Sequence, residues 1–155
     1  MPNLREQLEH LLQTRVCLIG VGNVDYGDDG FGVRLAEALE VMNAGTNPER
    51  FIGRVADEGF DHVIFLDAVE FGGAPGSVAL LNSDEMAARF PQISTHKISV
   101  GLLAKQLESN GRTKAWLLGV QPESLKLGGR LTPTVQATLE LLLDLVRDVS
   151  PEVVA

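Results

Sequence analysis

The sequence is poor in cysteine, in basic charge and in long apolar runs. Its single cysteine, Cys17, excludes an internal disulfide and a cysteine-based zinc cluster. Cys17 lies in the apolar run Val16–Ile19, which predicts a packed, inert thiol rather than a nucleophile. The 155 residues carry 13 Lys and Arg against 21 Asp and Glu, a net charge of −8. This charge disfavours nucleic acid and anionic membrane partners, which require clustered cations.

The acidic balance fits a cationic partner, either a metal ion or a basic peptide, although solubility alone is the simplest interpretation. No stretch approaches the ~20 apolar residues that cross a bilayer. The first residues, Met1–Glu6, lack the apolar core of a signal peptide. We therefore expect a cytoplasmic protein with no membrane partner. Its length predicts a single domain over 1–155, and we find no internal repeat or low-complexity linker.

Apolar residues recur alternately at helix and strand spacing, which predicts an α/β fold. We expect three layers: a twisted, mostly parallel sheet flanked by helices on both faces. Residues 1–15 form an N-terminal helical extension that Asn3 caps. The predicted strands cover 16–21, 62–67, 77–81 and 114–120. The later helices are predicted at 31–42, 83–90 and 97–110, with a short helix that begins at residue 48 and a long one that begins at residue 133. Ser83 and Thr132 are the expected caps of two of these helices. Residues 41–46 leave little room, so any second strand is very short or absent.

The loop after the first predicted strand, Gly20–Gly30, is rich in glycine and aspartate. The dinucleotide fingerprint requires a glycine where Asp25 stands, the Lys-Ser/Thr of a P-loop is missing, and three carboxylates would repel phosphate. The loop therefore indicates cation binding. Asp28 and Asp29 precede a helix, where acidic residues are favoured by the helix dipole. Helix capping explains one of these two aspartates. It does not readily explain both, because the glycines around them allow a ligand or the backbone to approach closely.

Two further polar residues lie at predicted loop or strand ends. Asp67 ends a buried strand, where an unpaired carboxylate is costly, so a site role is favoured. His96 lies in a loop before a helix, a position at which a lone histidine is more often a surface group. A parallel sheet would bring Asp29, Asp67 and His96 to one edge. Two carboxylates and one imidazole form a three-ligand set with an open position, typical of a functional metal site.

Several motifs occur together in a fixed order. They are Gly20-Val21-Gly22-Asn23, Gly27-Asp28-Asp29-Gly30, Leu66-Asp67-Ala68-Val69, Ser94-Thr95-His96, Gly119–Leu125 and Leu131–Val135. Together they closely resemble the [NiFe]-hydrogenase maturation endopeptidases. The resemblance implies an α/β fold and a cytoplasmic protease whose partner is the hydrogenase large-subunit precursor. It also implies removal of a short C-terminal extension from that precursor after nickel insertion.

The resemblance also assigns roles to residues. It implies that Asp29, Asp67 and His96 contact the metal and that the two aspartates are catalytic. The expected substrate contacts are Asn23, Asp28, Gly45 and Thr46. The working metal would be Ni²⁺ carried by the substrate, with Zn²⁺ or Cd²⁺ as mimics and no organic cofactor. The chain departs from the family at Asn43-Ala44-Gly45-Thr46, where the usual motif is Asp-Gly-Gly-Thr.

Two chemical routes and two other functions stay open at this point. Nickel could polarise the carbonyl or a bound water, or Asp29 and Asp67 could share a proton and activate water as an aspartic dyad. The alternative from another class is a non-catalytic nickel checkpoint or chaperone of hydrogenase assembly. A peptidyl-tRNA hydrolase also begins with Gly-x-Gly-Asn, but the histidine expected soon after is absent and a net charge of −8 opposes tRNA binding.

Overall fold

A five-stranded sheet lies between two layers of helices in the computed structural model, which describes residues 2–89 and 99–150. The strands are β1 (Val16–Val21), β2 (Met42–Gly45), β3 (His62–Ala68), β4 (Val78–Asn82) and β5 (Lys114–Val120). The helices are α1 (Leu4–Leu12), α2 (Phe31–Leu39), α3 (Ile52–Glu58), α4 (Ser83–Arg89), α5 (Val100–Glu108) and α6 (Pro133–Val149). Short 3₁₀ turns cover Gly27–Gly30 and Pro48–Arg50. None of the helices in these described ranges is both long and apolar enough to cross a membrane.

The order of the strands determines where a site can form. The sheet runs β2-β1-β3-β5-β4, with every pair parallel except β4 and β5. From β1 the chain goes first to β2 on one side and later to β3 on the other. In an open α/β sheet, such a reversal leaves a crevice beyond the carboxyl ends of the two strands. The predicted three-layer architecture with a mostly parallel sheet is confirmed. The direction in which the chain adds strands reverses between β1 and β3.

The central strands are apolar at successive positions because helices cover both of their faces. On β3, Ile64 and Leu66 pack with α1, α2 and α6. Val63 and Phe65 alternate with them and pack with α3, α4 and α5 on the opposite face. Each of these four side chains is at most 1% exposed. The sheet is therefore buried between two separate apolar layers.

The short second strand expected from the sequence is present as β2, which has four residues. It pairs with β1 through Ile19 and Met42, and the register shifts between Gly20 and Val21. The expected extent of α2 is wrong at its end, because the helix stops at Leu39 rather than reaching Met42. Glu40 adopts a left-handed conformation with φ of 57°, which turns the chain out of the helix and into β2.

Helix capping follows the predictions in one place and differs in two. The Asn3 side chain accepts the Glu6 N–H at 2.8 Å, as expected. Ser83 is wrong as a cap: Asn82 Oδ1 accepts the Glu85 N–H at 2.8 Å, and Glu85 Oε1 accepts the Asn82 N–H at 3.0 Å, a reciprocal capping box. Thr132 precedes α6, but its side chain makes no cap hydrogen bond. Its hydroxyl is engaged elsewhere, as described below.

The beginning of α5 also differs from the prediction. The helix starts at Val100, and the Ser99 side chain caps it by accepting the Leu102 N–H at 3.1 Å. The predicted start at Lys97 lies outside the described residues. Cys17 is buried in the same apolar layer as α5, and burial raises the pKa of its thiol to about 11. The thiol is therefore protonated at neutral pH, in accord with a packing role.

A glycine brings α2 into direct contact with the sheet. A Cβ atom built at Gly32 would lie 1.9 Å from the Leu66 carbonyl oxygen and 2.4 Å from the Val21 carbonyl oxygen. No side chain fits this space, so the backbone of α2 rests on the ends of β1 and β3. The 3₁₀ turn that leads into α2 is thereby held against the carboxyl edge of the sheet.

We expect Gly32→Ala to destabilise the fold by about 1–3 kcal/mol or more, because the added methyl group overlaps two backbone carbonyls that cannot move independently. Gly53→Ala in α3 is the matched control, since a Cβ there meets nothing within 4 Å. Ala has the better helix propensity, so the control should gain about 0.5–1 kcal/mol. Urea unfolding measures both variants, and equal stabilities would contradict the close approach.

Candidate active site

Two aspartates meet at the crevice between β1 and β3. Asp67 is the penultimate residue of β3, and Asp29 lies in the 3₁₀ turn that follows β1. Both side chains are therefore at the carboxyl edge of the sheet, beside the reversal of strand order. The two are close enough that the charge of Asp29 raises the pKa of Asp67. The structure thus brings together two of the three residues predicted as metal contacts, including both predicted catalytic residues.

Asp67 is the more deeply buried of the pair, with 2% of its surface exposed. Burial is the main cause that raises its pKa well above the ordinary value, and the charge of Asp29 adds to it. One contact acts in the opposite direction: the Ala68 N–H donates to Asp67 Oδ1 at 2.9 Å. The net effect of these contributions is a raised pKa for the Asp67 carboxyl.

Asp29 is held by the backbone around it. Its Oδ2 accepts the Asn23 N–H at 3.1 Å, and the residue is 9% exposed. A Cβ built at Gly22, where φ is +143°, would lie 2.0 Å from the Asp29 carbonyl oxygen and 3.8 Å from Asp67 Oδ1. Gly22 is therefore required twice: for its backbone conformation and for the close approach of the Asp29 turn.

The third predicted metal contact, His96, lies outside the described residues, so its place at this edge stays a prediction. Within residues 2–89 and 99–150 no group of three or more His, Cys, Asp or Glu side chains is arranged to hold a metal ion. Asp29 and Asp67 would supply two oxygen ligands of the predicted three-ligand set. Their donor chemistry suits a divalent ion of intermediate hardness once a nitrogen ligand joins them.

Three of the predicted substrate contacts border the site on its β2 side. The Gly22 N–H donates to the Gly45 carbonyl at 2.9 Å, which joins the end of β2 to the aspartate pair. Gly45 has a φ of +55°, and no atom lies within 4 Å of the position a Cβ would take. Thr46 is exposed and Asn23 is half-buried. The geometry leaves room for a docked chain here, and the contacts themselves remain predictions.

Asp28 has a different place from the one expected of a substrate contact. It is 0% exposed, and its carboxylate is surrounded by donors. Oδ2 accepts the N–H groups of Glu123 at 2.9 Å and Ser124 at 3.0 Å, and Oδ1 accepts that of Thr132 at 2.7 Å. The Thr132 hydroxyl also donates to Oδ2 at 2.9 Å, which explains why it does not cap α6. Asp28 therefore anchors the 123–132 loop instead of facing a substrate.

Sequence reasoning missed a second anchor, Gln121, at the end of β5. Its side chain is buried, and its Oε1 accepts the N–H groups of Phe71 at 2.9 Å and Gly73 at 3.1 Å. These bonds fix the loop that follows β3, and with it the chain immediately after Asp67. The available signal was an amide directly after an apolar strand, where a polar side chain needs partners.

Comparison with known proteins gives a consistent result. A model of the hydrogenase maturation protease family matches residues 32–149. The Hydrogenase 2 maturation protease of Escherichia coli K12 is 36% identical over 146 residues, which cover 85% of this chain and 88% of that protein. The hydrogenase expression/formation protein HoxM of Azotobacter vinelandii is 34% identical over 141 residues, covering 81% of this chain and 67% of that protein.

Solved structures show the same likeness in three dimensions. The crystal structure of a [NiFe] hydrogenase maturation protease, HycI, from Thermococcus kodakarensis aligns with a TM-score of 0.83 at 29% identity, over 94% of this chain and 99% of that one. The hydrogenase maturating endopeptidase HybD of E. coli aligns with a TM-score of 0.74 at 34% identity, over 86% and 90% of the two chains. The fold of this chain is therefore one already seen in hydrogenase maturation proteases.

We expect Asp28→Asn to lower the free energy of unfolding by roughly 2–4 kcal/mol, because an amide nitrogen would replace one acceptor oxygen among donors and the charge-assisted bonds would be lost. Asp25→Asn is the matched control on the same loop, since Asp25 is exposed. Urea unfolding should leave this control within about 0.5 kcal/mol of the wild type. Equal losses in both variants would mean that Asp28 is not an anchor.

We expect Asp67→Asn to make the protein more stable at pH 7, despite any loss of function. The folded pKa of Asp67 lies above its ordinary value of 3.8, so between these values the folded state binds more protons than the unfolded chain. Stability from this group therefore falls as pH rises through that window. The gain in Tm should be largest above the window and vanish as pH falls below about 4. A gain that is independent of pH would contradict the burial of a charged Asp67.

Proposed function

The chain belongs to the hydrogenase maturation protease family, and on that premise we propose that it removes the C-terminal extension of a [NiFe]-hydrogenase large-subunit precursor after nickel insertion. The observation that carries the proposal is the pair of buried aspartates, Asp29 and Asp67, at the carboxyl edge of the sheet. Paired carboxylates in a crevice are suited to activating water against a peptide bond. The proposal includes a cytoplasmic location, where a newly made precursor is available.

Nickel in the precursor is proposed as the recognition element. Asp29 and Asp67 cannot both ionise cheaply while buried together, and a divalent cation relieves that cost. His96 would complete the ligand set with a neutral nitrogen. Zn²⁺ and Cd²⁺ could occupy the same mixed oxygen and nitrogen set as mimics, because such ligands select weakly among these ions. No organic cofactor is required by this chemistry.

Two routes of hydrolysis are compatible with the pair. In the aspartic route, ionised Asp29 takes a proton from water while protonated Asp67 donates one to the carbonyl oxygen or the leaving nitrogen. The raised pKa of Asp67 supports its part in that exchange. In the metal-assisted route, both aspartates ionise to hold the substrate's nickel, which polarises the carbonyl or a bound water. Both routes require both carboxylates.

Asn23, Gly45 and Thr46 are proposed to contact the backbone of the precursor. They lie on the β2 side of the site, joined to it by the hydrogen bond between Gly22 and Gly45. Open space above Gly45 supports the passage of an extended chain there. A peptide held along this edge would have its scissile bond beside the two carboxylates. Such fixed geometry is a large part of what a protease contributes to the rate.

The decisive experiment incubates purified protein with nickel-loaded precursor and follows the precursor by mass spectrometry. The wild type should remove a C-terminal peptide, and nickel-free precursor should stay intact. We expect Asp29→Asn and Asp67→Asn each to slow cleavage by about 100-fold or more, because each removes a proton-transfer group or metal ligand. Asp25→Asn, an exposed acid on the same loop, is the matched control and should retain the wild-type rate.

Two results would overturn this proposal. Cleavage at the wild-type rate by Asp67→Asn would exclude both routes. Tight binding of nickel-loaded precursor by the wild type without loss of mass would instead support a non-catalytic nickel checkpoint in hydrogenase assembly.

A further inference from the structure

A groove with a volume of about 370 Å³ opens beside the turn that carries Asp29. One wall is the turn itself, at Gly27, and the other is the 124–132 loop. Asp28, the residue after Gly27 on this turn, is hydrogen-bonded to both ends of the loop. One short turn thus connects the two places, since Gly27 lines the groove and Asp29 lies two residues further along the chain.

The loop that forms the groove is held in place at several points. Asp28 binds both of its ends, as described above. In the middle, the Gly27 N–H donates to the Gly128 carbonyl at 2.9 Å, and the Gly128 N–H donates to the Asp25 carbonyl at 2.8 Å. Arg34 of α2 donates to the Gly129 carbonyl at 2.8 Å. These hydrogen bonds hold the loop in one conformation, so its exposed side chains form a preorganised surface.

Apolar side chains are exposed along this surface. Leu127 is 78% exposed, Leu125 is 43% exposed, and Tyr26 of the facing turn is 46% exposed. Among the described residues, the other two exposed large apolar side chains, Leu102 and Leu141, lie apart from this surface on α5 and α6. A local concentration of exposed apolar groups is characteristic of a surface that binds a partner.

The charge of the groove is opposite to that of the chain. The protein has a net charge of −8, yet the charged residues lining the groove are Lys126 and Arg130. These two cations attract anionic groups to the groove. Complementary charge of this kind favours an acidic partner and fixes the direction in which it lies.

Resting on the proposed function, we infer that this groove binds an acidic segment of the precursor that adjoins the cleaved bond. Carboxylates of that segment pair with Lys126 and Arg130, and a neighbouring apolar side chain packs on Leu127 and Tyr26. The groove thereby selects the precursor by its sequence, while the aspartate pair responds to its nickel. The groove and the aspartate pair thus recognise two separate features of the substrate, its acidic sequence and its nickel.

The test compares steady-state cleavage of nickel-loaded precursor by the wild type and by a Lys126→Glu/Arg130→Glu variant. We expect KM to rise about tenfold with kcat nearly unchanged, because two paired rim charges are reversed at a distance from the reacting bond. The matched control is Lys114→Glu/Arg147→Glu, which makes the same charge change at the start of β5 and the end of α6. Its KM should stay at the wild-type value.

A second arm changes the precursor and the apolar contact. Replacing the acidic residues near the cleaved bond with Asn and Gln should raise KM for the wild type and remove the difference between wild type and variant. Leu127→Ser should also raise KM, and sedimentation of the free protein should be unchanged by it. Unaltered KM in the charge variant would overturn the inference while leaving cleavage intact. A dimer of wild-type protein that Leu127→Ser dissociates would also overturn it, because the surface would then bind a second copy of the chain.

Discussion

The carboxylate of Asp28 joins two parts of the chain that are 95 to 104 residues apart in sequence. A buried carboxylate without partners would be expensive, so its hydrogen bonds are a condition of the fold as well as a contribution to it. They fasten the turn after β1 to the loop before α6. Because the turn carries Asp29 and the loop forms the groove, this one group sets the relative position of the aspartate pair and the surface beside it.

Asp28 and Asp29 are neighbours in sequence but differ in environment. Asp28 is surrounded by N–H and hydroxyl donors, whereas Asp29 lies against a second acid, Asp67. The donors hydrogen-bond both oxygens of Asp28, whereas burial and the charge of Asp29 raise the pKa of Asp67. One aspartate therefore supports the structure through its hydrogen bonds, and its neighbour belongs to a pair whose electrostatics a bound cation would change. Perturbed pKa values of this kind are common at sites that bind a ligand.

Much of this architecture can be predicted from the sequence, because burial on both faces leaves a direct pattern. Strands such as Val16–Val21 and Lys114–Val120 agree with the structure at both ends. The meeting of Asp29 and Asp67 also follows, since parallel strands end at one edge. The role of Asp28 could not be predicted, because its partners lie far along the chain and contribute backbone groups. The cap at Asn82 was missed for a simpler reason: Ser83 beside it is an equally good capping residue.

Asp28 holds the 123–132 loop mainly through main-chain N–H groups, and those groups are the same in nineteen of the twenty amino acids. The side chains of residues 123 and 124 can therefore change without loss of this anchor, with proline as the exception because it has no N–H. Thr132 is more constrained, since its hydroxyl takes part. The loop can thus diverge in sequence while keeping its shape. A protein built in this way can change its preference for a binding partner while the aspartate pair keeps its arrangement.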